Sequence, residues 1–144
     1  MREILFRGKR VDNGEWVEGN NIIFVEKNSR AFIIPPGKYK GSCQTKRGLF
    51  FISPKIEVIP ETIGQYIGLS LKKGPKIFEG DIIEYGYIFQ NNRGVVVFNN
   101  FSASFQIDSN IKKTPMPLPL DDFHLICNVK IIGNIHDNPE LLGG

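Results

Sequence analysis

The chain is 144 residues long, with 18 Lys/Arg against 15 Asp/Glu and two His, a net charge of +3. This length holds one domain or two very small ones, which bury roughly two thirds of their unfolded surface. No run of about 18 apolar residues is present and the N-terminus lacks the charged-then-apolar pattern of a secretory leader, so the expected setting is the cytoplasm, with no membrane partner.

Fifteen Gly and nine Pro, set among many Ile, Phe and Val, predict short strands joined by frequent turns, hence a mainly β protein. Cys43 and Cys127 have no second Cys or His at ligand spacing, which argues against zinc and for two reduced thiols. The charge is uneven. Residues 1–60 carry eleven Lys/Arg and six Asp/Glu (+5), residues 61–144 seven and nine (−2). Between positions 27 and 56 the cations Lys27, Arg30, Lys38, Lys40, Lys46, Arg47 and Lys55 occur without one acidic residue.

Residues 3–7 alternate as a strand with Ile4 and Phe6 on one face. Asp12-Asn13-Gly14 makes a turn and residues 15–18 return, a first hairpin around Trp16. Residues 21–26 and 30–34 form a second hairpin through Lys27-Asn28-Ser29, with Asn28 suited to the left-handed position. Residues 38–48 lack an apolar pattern and read as an exposed loop. Residues 49–53 and 56–59 then read as a strand pair broken at Pro54. A boundary at Pro60-Glu61 separates a basic N-terminal β-unit, 1–60, from a C-terminal unit, 61–144, with a core shared between them left open.

Residues 63–83 organise the second half: glycines at 64, 68, 74 and 80 punctuate short apolar runs, and Asp81 opens a strand. Gly80-Asp81 reads as a corner in which the short carboxylate accepts backbone N–H groups. Residues 82–89 and 94–98 form a hairpin through Asn91-Asn92-Arg93-Gly94, and 102–108 follow with Ala103, Phe105 and Ile107 on one face. The spaced prolines of 114–120 read as an extended connector with Met116, Leu118 and Leu120 on its buried side rather than as a polyproline ligand. Residues 123–126 and 129–135 supply the last strand region. Asn138, Pro139 and Glu140 before Gly143 spell a short helical turn. Five strands without an intervening long helix suit a small antiparallel barrel.

Three stretches carry a family resemblance: the opening Met1-Arg2-Glu3-Ile4-Leu5-Phe6-Arg7, the pair Gly64-Gln65-Tyr66-Ile67-Gly68-Leu69 and Glu79-Gly80-Asp81-Ile82, and the ending Ile132-Gly133-Asn134-Ile135-His136-Asp137-Asn138-Pro139-Glu140-Leu141-Leu142. In order and spacing the chain resembles the YopX family of phage and prophage proteins. Ser70 stands where that family usually has an acidic residue, and His136 where it usually has an aromatic one. The resemblance implies a β-rich chain with a small C-terminal barrel of SH3-like type, and it brings no established activity. The fold expected is therefore mainly β: an N-terminal β-hairpin unit, a small SH3-like antiparallel barrel and a short C-terminal helical turn.

No catalytic constellation is evident. His136 and Asp137 are adjacent, so on an extended chain their side chains diverge, and His124 sits in the apolar run Phe123-His124-Leu125-Ile126. Glu79 and Asp81, two apart, suggest a cation site only if the glycine between them permits it, and the reading assigns no metal and no cofactor. The glycines are spaced by turns rather than opening a helix, which excludes a Walker loop or dinucleotide fingerprint. Lys38, Tyr39, Lys40, Lys46 and Arg47 do match a chemistry: cations for phosphates beside a ring for stacking. The function expected is a non-enzymatic phage-type accessory module whose basic surface meets nucleic acid or another anionic partner. The alternative is a structural or adaptor homo-oligomer that binds another phage or host protein, assembled through an edge strand at residues 21–26 or 94–98.

Overall fold

The computed structural model describes residues 1–27, 29–37, 41–52, 54–71, 74–87, 90–108, 118–119 and 129–143, with the backbone alone at 50–52, 87, 90, 91, 118 and 119. Among these residues the chain is mainly β, with four antiparallel sheets, two 3-10 turns and no α-helix. No helix among them is long and apolar enough to cross a membrane. The chain divides into two units, Met1–Gln65 and Tyr66–Gly144.

In the first unit β1 (Phe6–Lys9) pairs with β2 (Trp16–Gly19), β3 (Asn21–Val25) with β4 (Arg30–Ile34), and β5 (Gly41–Thr45) with β6 (Gly48–Ile52). The short β7 (Ile56–Val58) pairs with β4. The first hairpin turns where expected: Arg10 N donates to Glu15 O at 2.8 Å, Gly14 N to Arg10 O at 3.0 Å, and Gly14 adopts φ +72°. Its first strand starts later than the alternation of residues 3–7 predicts, so that Leu5 is buried and Ile4 is half exposed. In the second turn Glu26 and Lys27 take the left-handed conformation, at φ +52° and +55°. Asn28, which was expected there, lies outside the described residues.

Gly19 lets the chain leave its pairing with β1 and enter its pairing with β4, for a Cβ there would run into the Ile34 carbonyl and the Ile33 side chain. Gly8 likewise forms a floor on which Val58 and Ile33 rest. Between them lies a core of Ala31, Ile33 and Val58, flanked by Val17, Ile22 and Ile63. Each fully buried aliphatic side chain contributes about 1.5–3 kcal/mol relative to exposure. The 3-10 turn Pro60–Thr62 closes the unit: Thr62 Oγ1 accepts Lys9 N–H at 2.9 Å and donates to Ile59 O at 2.6 Å.

Two strand assignments change. Residues 41–45 are a strand rather than loop, and they take β6 as partner; β6 therefore does not pair with residues 56–59, whose strand β7 joins β4 instead. The physical reason is that Ala31 and Ile33 need an apolar neighbour, which Val58 and Ile56 supply.

In the second unit the later residues of β8 (Gly64–Ser70) pair with β9 (Lys76–Phe78), and a five-stranded sheet runs in the order β13 (Leu118–Pro119), β12 (Ser104–Asp108), β11 (Gln90–Asn99), β10 (Asp81–Tyr87), β14 (Lys130–Asn134). Asn91 to Gly94 are paired strand residues, opposite Gly86 to Ile83, and not the turn that the sequence predicts there. β11 is consequently interior, flanked by β10 and β12, and residues 94–98 are no edge. Ile67, Ile77, Ile83, Tyr85, Val96 and Ile107 form the core, with Phe105 and Ile131 packed against it. The sheet is open among the described residues. Phe123, His124 and Cys127 lie outside them, as does most of the proline-spaced connector.

Candidate anion-binding interface

The basic stretch is organised by the β5–β6 hairpin. Its register, Gly41↔Ile52 through Thr45↔Gly48, leaves Lys46 and Arg47 as the two residues of the turn. Thr45 Oγ1 fixes that turn, accepting Arg47 N–H at 3.1 Å and donating to Gly48 O at 3.3 Å, while Gly48 takes φ +133°. Every residue from Gly41 to Arg47 is exposed. The hairpin is its own two-stranded sheet, and Lys46 and Arg47 have no carboxylate within ion-pair distance among the described residues. Lys38, Tyr39 and Lys40, the other members of the expected site, lie outside the described residues.

The remaining described cations of the first unit are mostly occupied. Arg10 forms a bidentate pair with Asp12 at 2.8 and 2.6 Å, and hydrogen bonding to Arg10 holds the Asp12 carboxyl below its ordinary range. Arg30 does the same for Glu57 at 2.8 and 3.1 Å, with the same direction of shift. Lys55 Nζ stands 4.9 Å from the Phe32 ring and Arg30 5.2 Å from it. On β1, Arg7 and Lys9 lie 4.7 and 5.9 Å from the Trp16 ring. The signal for that cluster was present in the sequence as cations at i and i+2 opposite a Trp, the spacing that puts both on one strand face. Such contacts are weak, about 0.5–1 kcal/mol at exposed sites.

The other candidates resolve into structural roles. Asp81 is buried, and its Oδ2 accepts Phe78 N–H at 2.8 Å across the Gly80 corner, where φ is +84°. The carboxylate thus reaches back to the preceding strand, and Glu79 is only half-buried beside it. Asp137 Oδ2 accepts from Asn134 Nδ2 at 3.0 Å, and Asn134 Oδ1 accepts the N–H groups of His136 and Asp137, both at 3.0 Å. The Gly133-to-Asn138 signature is therefore a turn clamp that leads into the 3-10 turn Pro139–Leu142. Asn138 turns its side chain back toward Asn134 N at 3.4 Å instead of capping that turn. No group of three or more His, Cys, Asp or Glu among the described residues is placed to hold a metal ion.

The model of the YopX protein family matches residues 5–143. Among solved structures, the crystal structure of protein EF1440 from Enterococcus faecalis is similar with a TM-score of 0.62 and 22% identity, over 99% of each chain; at that identity the likeness is one of fold. No curated protein matches the chain.

Proposed function

We propose, on the premise that this chain belongs to the YopX family, that it is a non-enzymatic, phage-type accessory module that binds an anionic partner, nucleic acid foremost, through its basic first unit. One observation carries the reading: the β5–β6 hairpin holds Lys46 and Arg47 in solvent with no carboxylate to compete for them among the described residues. An extended, uncommitted pair of cations is suited to phosphates, because it gains Coulomb energy and releases counterions without first breaking an internal ion pair. The phage and prophage setting of the family makes nucleic acid the natural anion. The five-stranded antiparallel sheet of the second unit favours the SH3-like reading of that half. Binding of labelled DNA and RNA by the full chain, followed by fluorescence anisotropy with and without Lys46→Ala plus Arg47→Ala, tests the proposal.

A further inference from the structure

Among the described residues, strand β3 is the outer strand of the sheet β3-β4-β7. Its residues, Asn21-Ile22-Ile23-Phe24-Val25, contain no charge and no proline. Ile23 is 40% exposed and Phe24 49% exposed. They are consecutive, so they point to opposite faces of the sheet, Ile23 beside Phe32 and Phe24 beside Ala31. A partner lying on one face would cover only one of them. A strand added at the edge shields both, because its own side chains flank the neighbours on each face, and it satisfies the outward backbone groups as well. Soluble β proteins commonly protect an edge with a lysine, a proline or a bulge, and β3 has none of these.

We infer that β3 pairs antiparallel with β3 of a second copy, about a two-fold axis through Ile23. This register sets Ile23 against the partner's Ile23, Ile22 against the partner's Phe24, and Asn21 against the partner's Val25. Apolar residues then meet apolar residues at three of the five positions. Glu26 falls opposite the partner's Asn20 and Lys27 opposite the partner's Gly19, so no like charges face each other. Arg30, the cation nearest along β4, is neutralised by Glu57. The pairing is isologous and closes at two copies, giving one six-stranded sheet β7-β4-β3-β3-β4-β7. A five-residue strand covers less than the ~800 Å² per partner of a standard interface. The dimer is accordingly one that dissociates on dilution.

Sedimentation velocity of the full chain over a range of concentrations tests this. The wild type is expected to shift from monomer to dimer as concentration rises, and Ile23→Lys to weaken that association at least about tenfold, since each copy places a lysine at the two-fold axis. Ile23→Lys is checked for fold by circular dichroism. An independent measurement is oxidation of Ile23→Cys, which the register expects to cross-link into a dimer beyond the level of the unsubstituted chain with its Cys43 and Cys127. A monomer at every concentration, which would leave the edge to a strand from a different protein, overturns the inference. So does a dimer that folded Ile23→Lys leaves intact, or an Ile23→Cys chain that cross-links no more than the wild type.

Discussion

Arg30 grips Glu57 with Nε and Nη2, at 2.8 and 3.1 Å, across the β4–β7 pair. One of the seven cations between positions 27 and 56 is thereby withdrawn from the basic surface. Arg30→Ala should leave affinity for a nucleic acid nearly unchanged, whereas Lys46→Ala with Arg47→Ala should lower it and reduce the slope of log affinity against log salt by about 2. Equal losses from Arg30→Ala and the hairpin pair, measured by anisotropy across salt, would mean that the exposed turn has no special part.

The same pair makes a prediction about pH. Hydrogen bonding to Arg30 lowers the Glu57 carboxyl from its ordinary value. A carboxyl depressed in the folded state stabilises the fold above its unfolded value, and that contribution is lost as pH falls through the folded value. Carbon-13 titration of the side-chain carboxyls should find Glu57 and Asp12 each titrating below the ordinary value of its residue type. Arg30→Ala should return Glu57, and Glu57 alone, to the ordinary range.

Asp81 is a folding residue by this account. Asp81→Ala removes the acceptor of a buried Phe78 N–H, a loss of about 1–3 kcal/mol, and Asp81→Asn, which keeps an oxygen there, should lose less. Chemical denaturation measures both. An Asp81→Ala chain as stable as wild type but lacking a measurable activity would point to chemistry at that corner instead.

Gly19 and Gly14 should answer differently to alanine. At Gly19 a Cβ meets the Ile34 carbonyl and the Ile33 side chain, so Gly19→Ala overpacks a site that cannot yield and should cost roughly 1–3 kcal/mol or more. At Gly14 nothing lies within 4 Å and only the φ of +72° resists, so Gly14→Ala should cost about 1–2 kcal/mol at most. Urea unfolding of the two variants gives the comparison; reversal of their order would contradict the corner at Gly19.

What the sequence made legible follows the burial of its strands. Residues 104–108 alternate because Ile107 is in the core and Phe105 packs on it, and the terminal 3-10 turn starts at Pro139 with Glu140 in its first turn as the local chemistry predicts, although Asn138 does not cap it. The β5–β6 hairpin left no such trace. Alternation marks a strand that buries one face, and Gly41-Ser42-Cys43-Gln44-Thr45 is exposed throughout. Register was also hidden: whether residues 56–58 pair with the strand before them or with β4 depends on long-range packing of Val58 on Ile33, which no local pattern encodes. The candidate site was legible as a run of cations without acids. Which of them are free was not, because the Arg30–Glu57 pair joins residues 27 positions apart.

Fluorescence anisotropy of labelled single- and double-stranded DNA and RNA, titrated with the full chain at low and physiological salt, tests most directly whether the basic hairpin binds nucleic acid. Saturable binding that weakens steeply with salt is expected, and its loss in the Lys46→Ala, Arg47→Ala chain while the fold is retained. Absence of binding at low salt, or binding indifferent to those two substitutions, would contradict that role of the hairpin.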